Sequence, residues 1–405
     1  MNYLKGLLPA GFSFPDTLDM PQTTAISGCR PWSATINPSP SQSPNTVFRG
    51  VAAVSGSDVW AVGFTIQTPD ENSPALTLIE HWDGQSWQII PSPNPNPEGN
   101  NAVFGVAAIS ANDVWAVGFS GATPGARGFG IGQTLIEHWD GTGWLVIPSP
   151  SPGLVSNSLE ALAIVQADDI WAAGFARDTT NGPFSTLIEH WDGHTWQIIP
   201  SPNPESNSVI GSLAVVSASD IWAVGYSSPS LTTAPFQTLT EYWDGKTWQV
   251  VPSPNTGSAF NELRSVAVVS AHDIWAVGQA SNTLFSSNEF DTTLVEHWDG
   301  HKWRVVASPN PGWGTNGLLA VAAISVHDVW AVGGYTNNLP DASQGGQTLV
   351  EHWDGHKWRV VASESPGLDD ALSGITRVPG TETLWAIGQT FNASQVLQPL
   401  SEFSC

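Results

Sequence analysis

Positive charge is scarce in this sequence. It carries 12 Lys and Arg against 36 Asp and Glu, a formal net charge of -24, and a surface of that sign repels phosphate backbones and anionic lipid headgroups. Nucleic acid and membrane surfaces are therefore not expected partners. Long apolar runs are missing as well. None reaches the roughly 18 residues of a membrane span, and the opening "MNYLKGLLPAGFSFP" is too short and too broken by Gly and Pro for a secretory signal. An export signal would have to lie outside the numbered chain, or the export route would be unusual. Cysteine is reduced to two residues, Cys29 and Cys405, the second at the very end of the chain. No G-x-S-x-G or Walker motif occurs, so neither a nucleophile elbow nor a phosphate loop is expected, and no cofactor is implied.

What the chain does have is turn formers and aromatics. It contains 39 Gly, 31 Pro and 21 Trp, with 41% hydrophobic residues and only 12% charged, a profile that reads as all-β. One unit recurs throughout. "SGSDVWAVGF", "SANDVWAVGF", "QADDIWAAGF", "SASDIWAVGY", "SAHDIWAVGQ", "SVHDVWAVGG" and "GTETLWAIGQ" place Trp60, Trp115, Trp171, Trp222, Trp275, Trp330 and Trp385 at intervals of 51 to 56 residues. A small apolar stretch precedes each, and "TLIEHWDG" and "WQIIPSPNP" segments follow. Each unit thus reads as a four-stranded antiparallel meander whose last two strands join through Asp-Gly, the pair suited to hairpin turns. Such a unit cannot bury both faces alone, so neighbours must stack around an axis. The expected fold is a seven-bladed β-propeller of four-stranded blades.

The unit resembles a kelch-type propeller blade in its "DVWAVGG"-like second strand, its "VE.WD" third strand and the Trp that opens the fourth. The resemblance covers residues 29–405. Where kelch blades carry a glycine pair after the second strand, most units here carry one Gly, and Gly333 with Gly334 restores the pair. The turn "WDGHTW" is similar in part to the Asp-box of sialidase-like propellers.

The two cysteines acquire a meaning from the repeat. Six units have a complete third and fourth strand, but the seventh stops at "LSEFSC", which aligns with "LIEHWD" and sets Glu402 beside Glu80, Glu137, Glu189, Glu241, Glu296 and Glu351. The missing strand is found at the other end of the chain. "CRPWSATINPSPS" aligns with "GHKWRVVASPNP", Trp32 falling with Trp87 and Cys29 with the turn Gly. The last blade is therefore expected to be completed by both ends, with a Cys29–Cys405 disulfide replacing the Asp-Gly connection. This divides the chain into an extension, residues 1–28, and a propeller, 29–405. Within the propeller, 29–45 supply the outer strand of the closing blade, 46–371 blades one to six, and 372–405 the remaining strands. A disulfide implies an oxidising compartment, hence a secreted or cell-surface protein; the sequon at Asn392 is a candidate glycosylation site.

Most chemistry-bearing residues repeat, and repetition argues for architecture. Twenty of the 21 tryptophans belong to the repeat and are expected to pack between blades. The third-strand glutamates are expected to be half-buried and bonded to Trp N–H groups or backbone amides, and the second-strand aspartates to be structural. His190 and His194, His297 and His301, and His352 and His356 straddle a turn without a third ligand, so exposed histidines rather than a metal site are expected. One constellation does not repeat. The residues opening the first strands, Arg49, Phe104, Glu160, Gly211, Arg264, Leu319 and Ser373, should face the mouth of the axial channel, where two arginines could grip an anion or simply be solvated. Trp313, in "NPGWGTNG", reads as local packing or as a partner contact. Sialidases use three arginines with a tyrosine nucleophile, and Tyr3, Tyr226, Tyr242 and Tyr335 offer no obvious match to that tyrosine.

The function expected is a secreted or cell-surface, non-catalytic propeller that binds a protein partner or assembles with itself, filaments included, with residues 1–28 as a connector. The alternative is an extracellular glycan-acting enzyme or lectin using the channel mouth. For either, Arg49, Glu160, Arg264 and Trp313 are the candidate ligand-binding residues.

Overall fold

The computed structural model describes residues 32–40, 45–66, 73–121, 132–232, 235–283, 291–337, 345–394 and 396–404. Every regular element among them is a β-strand. Unit one consists of Asn45–Ser55, Asp58–Ile66, Ala75–Trp82 and Trp87–Ile89, each antiparallel to the one before. Units two to six repeat this order as five separate four-stranded sheets, opening with Asn100–Ser110, Ser156–Gln166, Asn207–Ser217, Phe260–Ser270 and Asn316–Ser325.

The two ends of the described chain meet in one more group of strands. Asp370–Arg377, Leu384–Phe391 and Leu397–Ser404 follow in order, and Ser33–Ile36 pairs antiparallel with the last. A single parallel pairing, Asn45 with Leu397, joins this group to unit one, so the two share an eight-stranded sheet. The register is that of the other hairpins: Ala34 faces Glu402 as Ile89 faces Glu80.

The hairpin turns show why Asp-Gly recurs. Gly84 adopts φ of 92°, a region that costs a side chain but not glycine. Asp83 accepts the backbone N–H groups of Gln85 and Ser86 at 2.8 and 2.9 Å, which closes the turn.

Tryptophans join neighbouring units. Trp60 lies 5.2 Å from Trp139 and 5.4 Å from Trp144 of unit two, the latter edge to face. The same triad recurs around the structure, as in Trp385 with Trp82 and Trp87 at 5.3 and 5.4 Å, except that Trp330 meets one tryptophan of the next group, Trp32, at 5.8 Å. Each such pair contributes about 1 kcal/mol beyond its buried area. Four of the second-strand rings are also anchored within their own units, Trp60, Trp115, Trp171 and Trp330 donating their indole N–H groups to Asp58, Asp113, Asp169 and Asp328 at 3.1, 2.9, 2.9 and 2.7 Å. These four aspartates hold the tryptophan of their own strand, the kind of structural role expected of them.

Candidate functional site

The first strand of each unit is the innermost, and it packs beside the first strand of the next. It is longer than the sequence suggests. Arg49 is not its opening residue but the fifth of Asn45–Ser55, because the strand continues upstream through Val47 and Phe48, which pair with Phe64 and Gly63. Between Phe48 and Gly50 the register slips by one residue, so Arg49 is a β-bulge. Phe104, Glu160, Gly211, Arg264, Leu319 and Ser373 occupy the same slip in their own strands. A bulge leaves its extra residue unpaired and re-aims the side chain. All seven non-repeating residues are thereby turned into one cavity of about 570 Å³ on the axis.

The bulge explains the single glycine that ends the repeated "WAVG". Gly63 sits opposite the slip, where a Cβ would lie 1.9 Å from the Val47 carbonyl oxygen; Gly225 and Gly278 are in the same position against Val209 and Glu262. No side chain fits there. One Gly suffices, since Gly334, the second of the only pair, meets nothing closer than 3.2 Å.

Charge in the cavity is mixed. An Arg264 Nη2 to Glu262 Oε2 ion pair of 2.9 Å joins two residues of one strand. Ser158 donates its hydroxyl to Glu160 Oε1 at 2.6 Å. Arg49 makes no hydrogen bond or ion pair with any described residue. Ser373 is spent on the backbone, donating to the Phe48 carbonyl at 2.7 Å. Burial pushes both carboxyls above the usual carboxylate range, opposed at Glu160 by the Ser158 hydroxyl and by Arg49, and at Glu262 by Arg264. Burial likewise lowers Arg49, whose guanidinium reaches water through the cavity yet is ringed by protein. Tyr226 also lines the cavity, its phenol pushed up to about 12 by burial and then by Glu262.

Tyr226 and Glu262 correct the sequence reading, which placed no tyrosine and only one carboxylate here. Their signal was present in two further columns of the repeat. The residue two before the bulge and the residue after the facing glycine also change from unit to unit, giving Glu262 in one column and Phe175 and Tyr226 in the other.

Other expected residues lie elsewhere. Trp313 is not in the cavity. Its backbone N–H donates to Asn337 at 3.2 Å and its ring is 62% exposed, not locally packed. Asn392 is half-buried at a turn, its side-chain oxygen accepting the N–H groups of Ser394 and Val396. His190 is bonded to Asp169 at 2.8 Å and is not an exposed turn histidine; His194, four residues on, is exposed in the turn. No group of three His, Cys, Asp or Glu among the described residues is placed to hold a metal ion. Cys29, Cys405 and residues 1–28 lie outside the described residues.

The third-strand glutamates differ most from expectation. They are fully buried, not half-buried, and neither oxygen of Glu137, Glu241, Glu296, Glu351 or Glu402 has a hydrogen-bond partner among the described residues. Glu80 alone of the set receives a side-chain amide, from Asn37 at 3.1 Å. Burial pushes Glu80, Glu137, Glu241 and Glu402 up to about 8. A buried carboxyl without donors keeps its proton instead of paying for an unsolvated charge.

No family model and no curated protein matches the chain. Among solved structures, YCF48 bound to D1 peptide is similar at 14% identity and a TM-score of 0.54, the match covering 92% of this chain and 97% of that one. The GH74 xyloglucanase from Xanthomonas campestris is similar at 13% identity and a TM-score of 0.52, over 91% of this chain and 55% of that one. Both neighbours are β-propellers, and the repeated four-stranded sheets of this chain share that architecture.

Proposed function

We propose that this chain is a seven-bladed propeller of kelch-like units, secreted or at a cell surface, that serves as a non-catalytic binding module. Its ligand sits in the axial cavity. The observation that carries this reading is the bulge ring: seven positions aimed at one space, holding six different residue types in a protein that otherwise repeats itself. A similar propeller has been seen with a peptide bound. The pairing of Ser33–Ile36 with Leu397–Ser404 supports closure of the seventh blade by the N-terminal strand, and a Cys29–Cys405 disulfide would complete that hairpin. Random short peptides panned against the native protein should yield binders whose affinity falls about tenfold or more in the Arg49→Ala, Arg264→Ala double variant, shown to be folded by a cooperative melting transition. Binders indifferent to both substitutions would place the site elsewhere.

One observation favours the glycan-acting alternative, since Glu160 and Glu262 share the cavity. A hydrolytic pair, however, needs one carboxyl protonated and one ionised. Here burial shifts both in the same direction, and Glu262 is already paired with Arg264. Binding is the better account.

A further inference from the structure

The cavity is lopsided. Six of the seven bulge positions carry a side chain, and the seventh is Gly211, whose missing Cβ would meet nothing closer than the Arg264 carbonyl at 3.7 Å. Space therefore runs sideways from the axis into an apolar chamber. Phe175 and Phe184 form one wall at 4.9 Å, edge to face, and Tyr226, Phe236 and Phe260 form the other in successive contacts of 5.3 and 5.2 Å. Water gains little from such walls, and an apolar side chain gains much.

Two ionisable groups lining the cavity keep capacity for a ligand. Arg264 and Glu262 neutralise each other, and Ser158 occupies one oxygen of Glu160. That leaves the Arg49 guanidinium and the other Glu160 oxygen. A purely anionic ligand would face Glu160, and a purely cationic one would face Arg49. The two residues come from units one and three and influence each other's ionisation without touching. A ligand satisfying both must carry opposite charges some way apart.

Resting on the binding reading above, we infer that the cavity takes a short apolar peptide with free ends, its carboxylate on Arg49, its ammonium on Glu160 and a large side chain in the chamber beside Gly211. The volume of about 570 Å³ suits two or three residues better than a single amino acid.

Calorimetric titration of the full chain with the dipeptide Leu-Phe tests this. The free dipeptide should bind, and N-acetylation or C-amidation should each weaken it about tenfold or more. Arg49→Gln should remove the sensitivity to amidation, and Glu160→Gln the sensitivity to acetylation. Gly211→Leu should abolish binding with an unchanged melting curve; if it fails to fold, Gly211→Ala, which the 3.7 Å clearance admits, should weaken it. A doubly blocked dipeptide that binds as tightly as the free one would overturn the charge assignment while leaving the cavity as a site. Absence of any dipeptide binding would overturn the inference outright, and the panned peptides would still judge the cavity separately.

Discussion

Raising the pH from about 5 to about 9 is expected to lower the stability of this protein steeply, the reverse of what ionised, paired carboxylates would do. The cause is the set of buried third-strand glutamates. Burial pushes Glu80, Glu137, Glu241 and Glu402 up to about 8 in the fold, against 4.5 when unperturbed, and raises Glu296 and Glu351 well above 4.5. Between those values the folded chain binds more protons than the unfolded one. Stability is then complete below about 4.5, falls through the window and levels off above about 8. Each carboxyl contributes a slope of about 1.4 kcal/mol per pH unit at most, and several act together. Surface aspartates do not offset this. Asp83 and Asp192 are held below the usual range by backbone N–H groups, so their contribution is lost only in more acidic solution. Glu241→Gln mimics the neutral carboxyl. Urea unfolding across pH should show the variant close to wild type at about pH 5, more stable at about pH 9, and less pH-dependent by roughly one proton. A variant that is less stable at every pH would mean that Glu241 works as a bonded carboxylate.

The second large effect concerns the chain ends. Replacing Cys405 by Ser is expected to cost roughly 5 kcal/mol, because the proposed bridge to Cys29 closes a loop of nearly the whole chain and so removes much freedom from the unfolded state. The described residues beside both cysteines set the register in which such a pairing would fall. Ser33 faces Phe403 and Ala34 faces Glu402, so continuing the register brings Trp32 opposite Ser404, the places of Trp87 and Trp82 in unit one. Non-reducing peptide mapping of protein from its natural source should recover the two cysteines in one linked species. Two free thiols would remove the bridge and, with it, the argument for an oxidising compartment.

The architecture was legible because every unit states it again. The Trp spacing, the Asp-Gly turn at Gly84 and the alignment of Trp32 with Trp87 all follow from patterns that neighbouring units confirm, and the structure keeps that register. The cavity was legible only in part. Arg49, Glu160 and Arg264 stood out because they break the repeat, but the bulge that aims them leaves no mark on its own strand; its trace is the facing Gly63, which reads as an ordinary strand end. Glu262 and Tyr226 escaped because they sit in two other columns of the repeat, not in the one compared. The glutamate carboxyls were misjudged for another reason. Strand alternation places Glu137 inward, but it cannot say that no donor awaits it there.

The most direct test of the account is a crystal structure of the protein with a peptide selected by panning. The account predicts peptide density in the axial cavity, with a polar atom within hydrogen-bond distance of Arg49 or Arg264 and an apolar side chain beside Gly211. Peptide lying along the outer fourth strands or on the rim at Trp313, with the cavity holding only solvent, would contradict it.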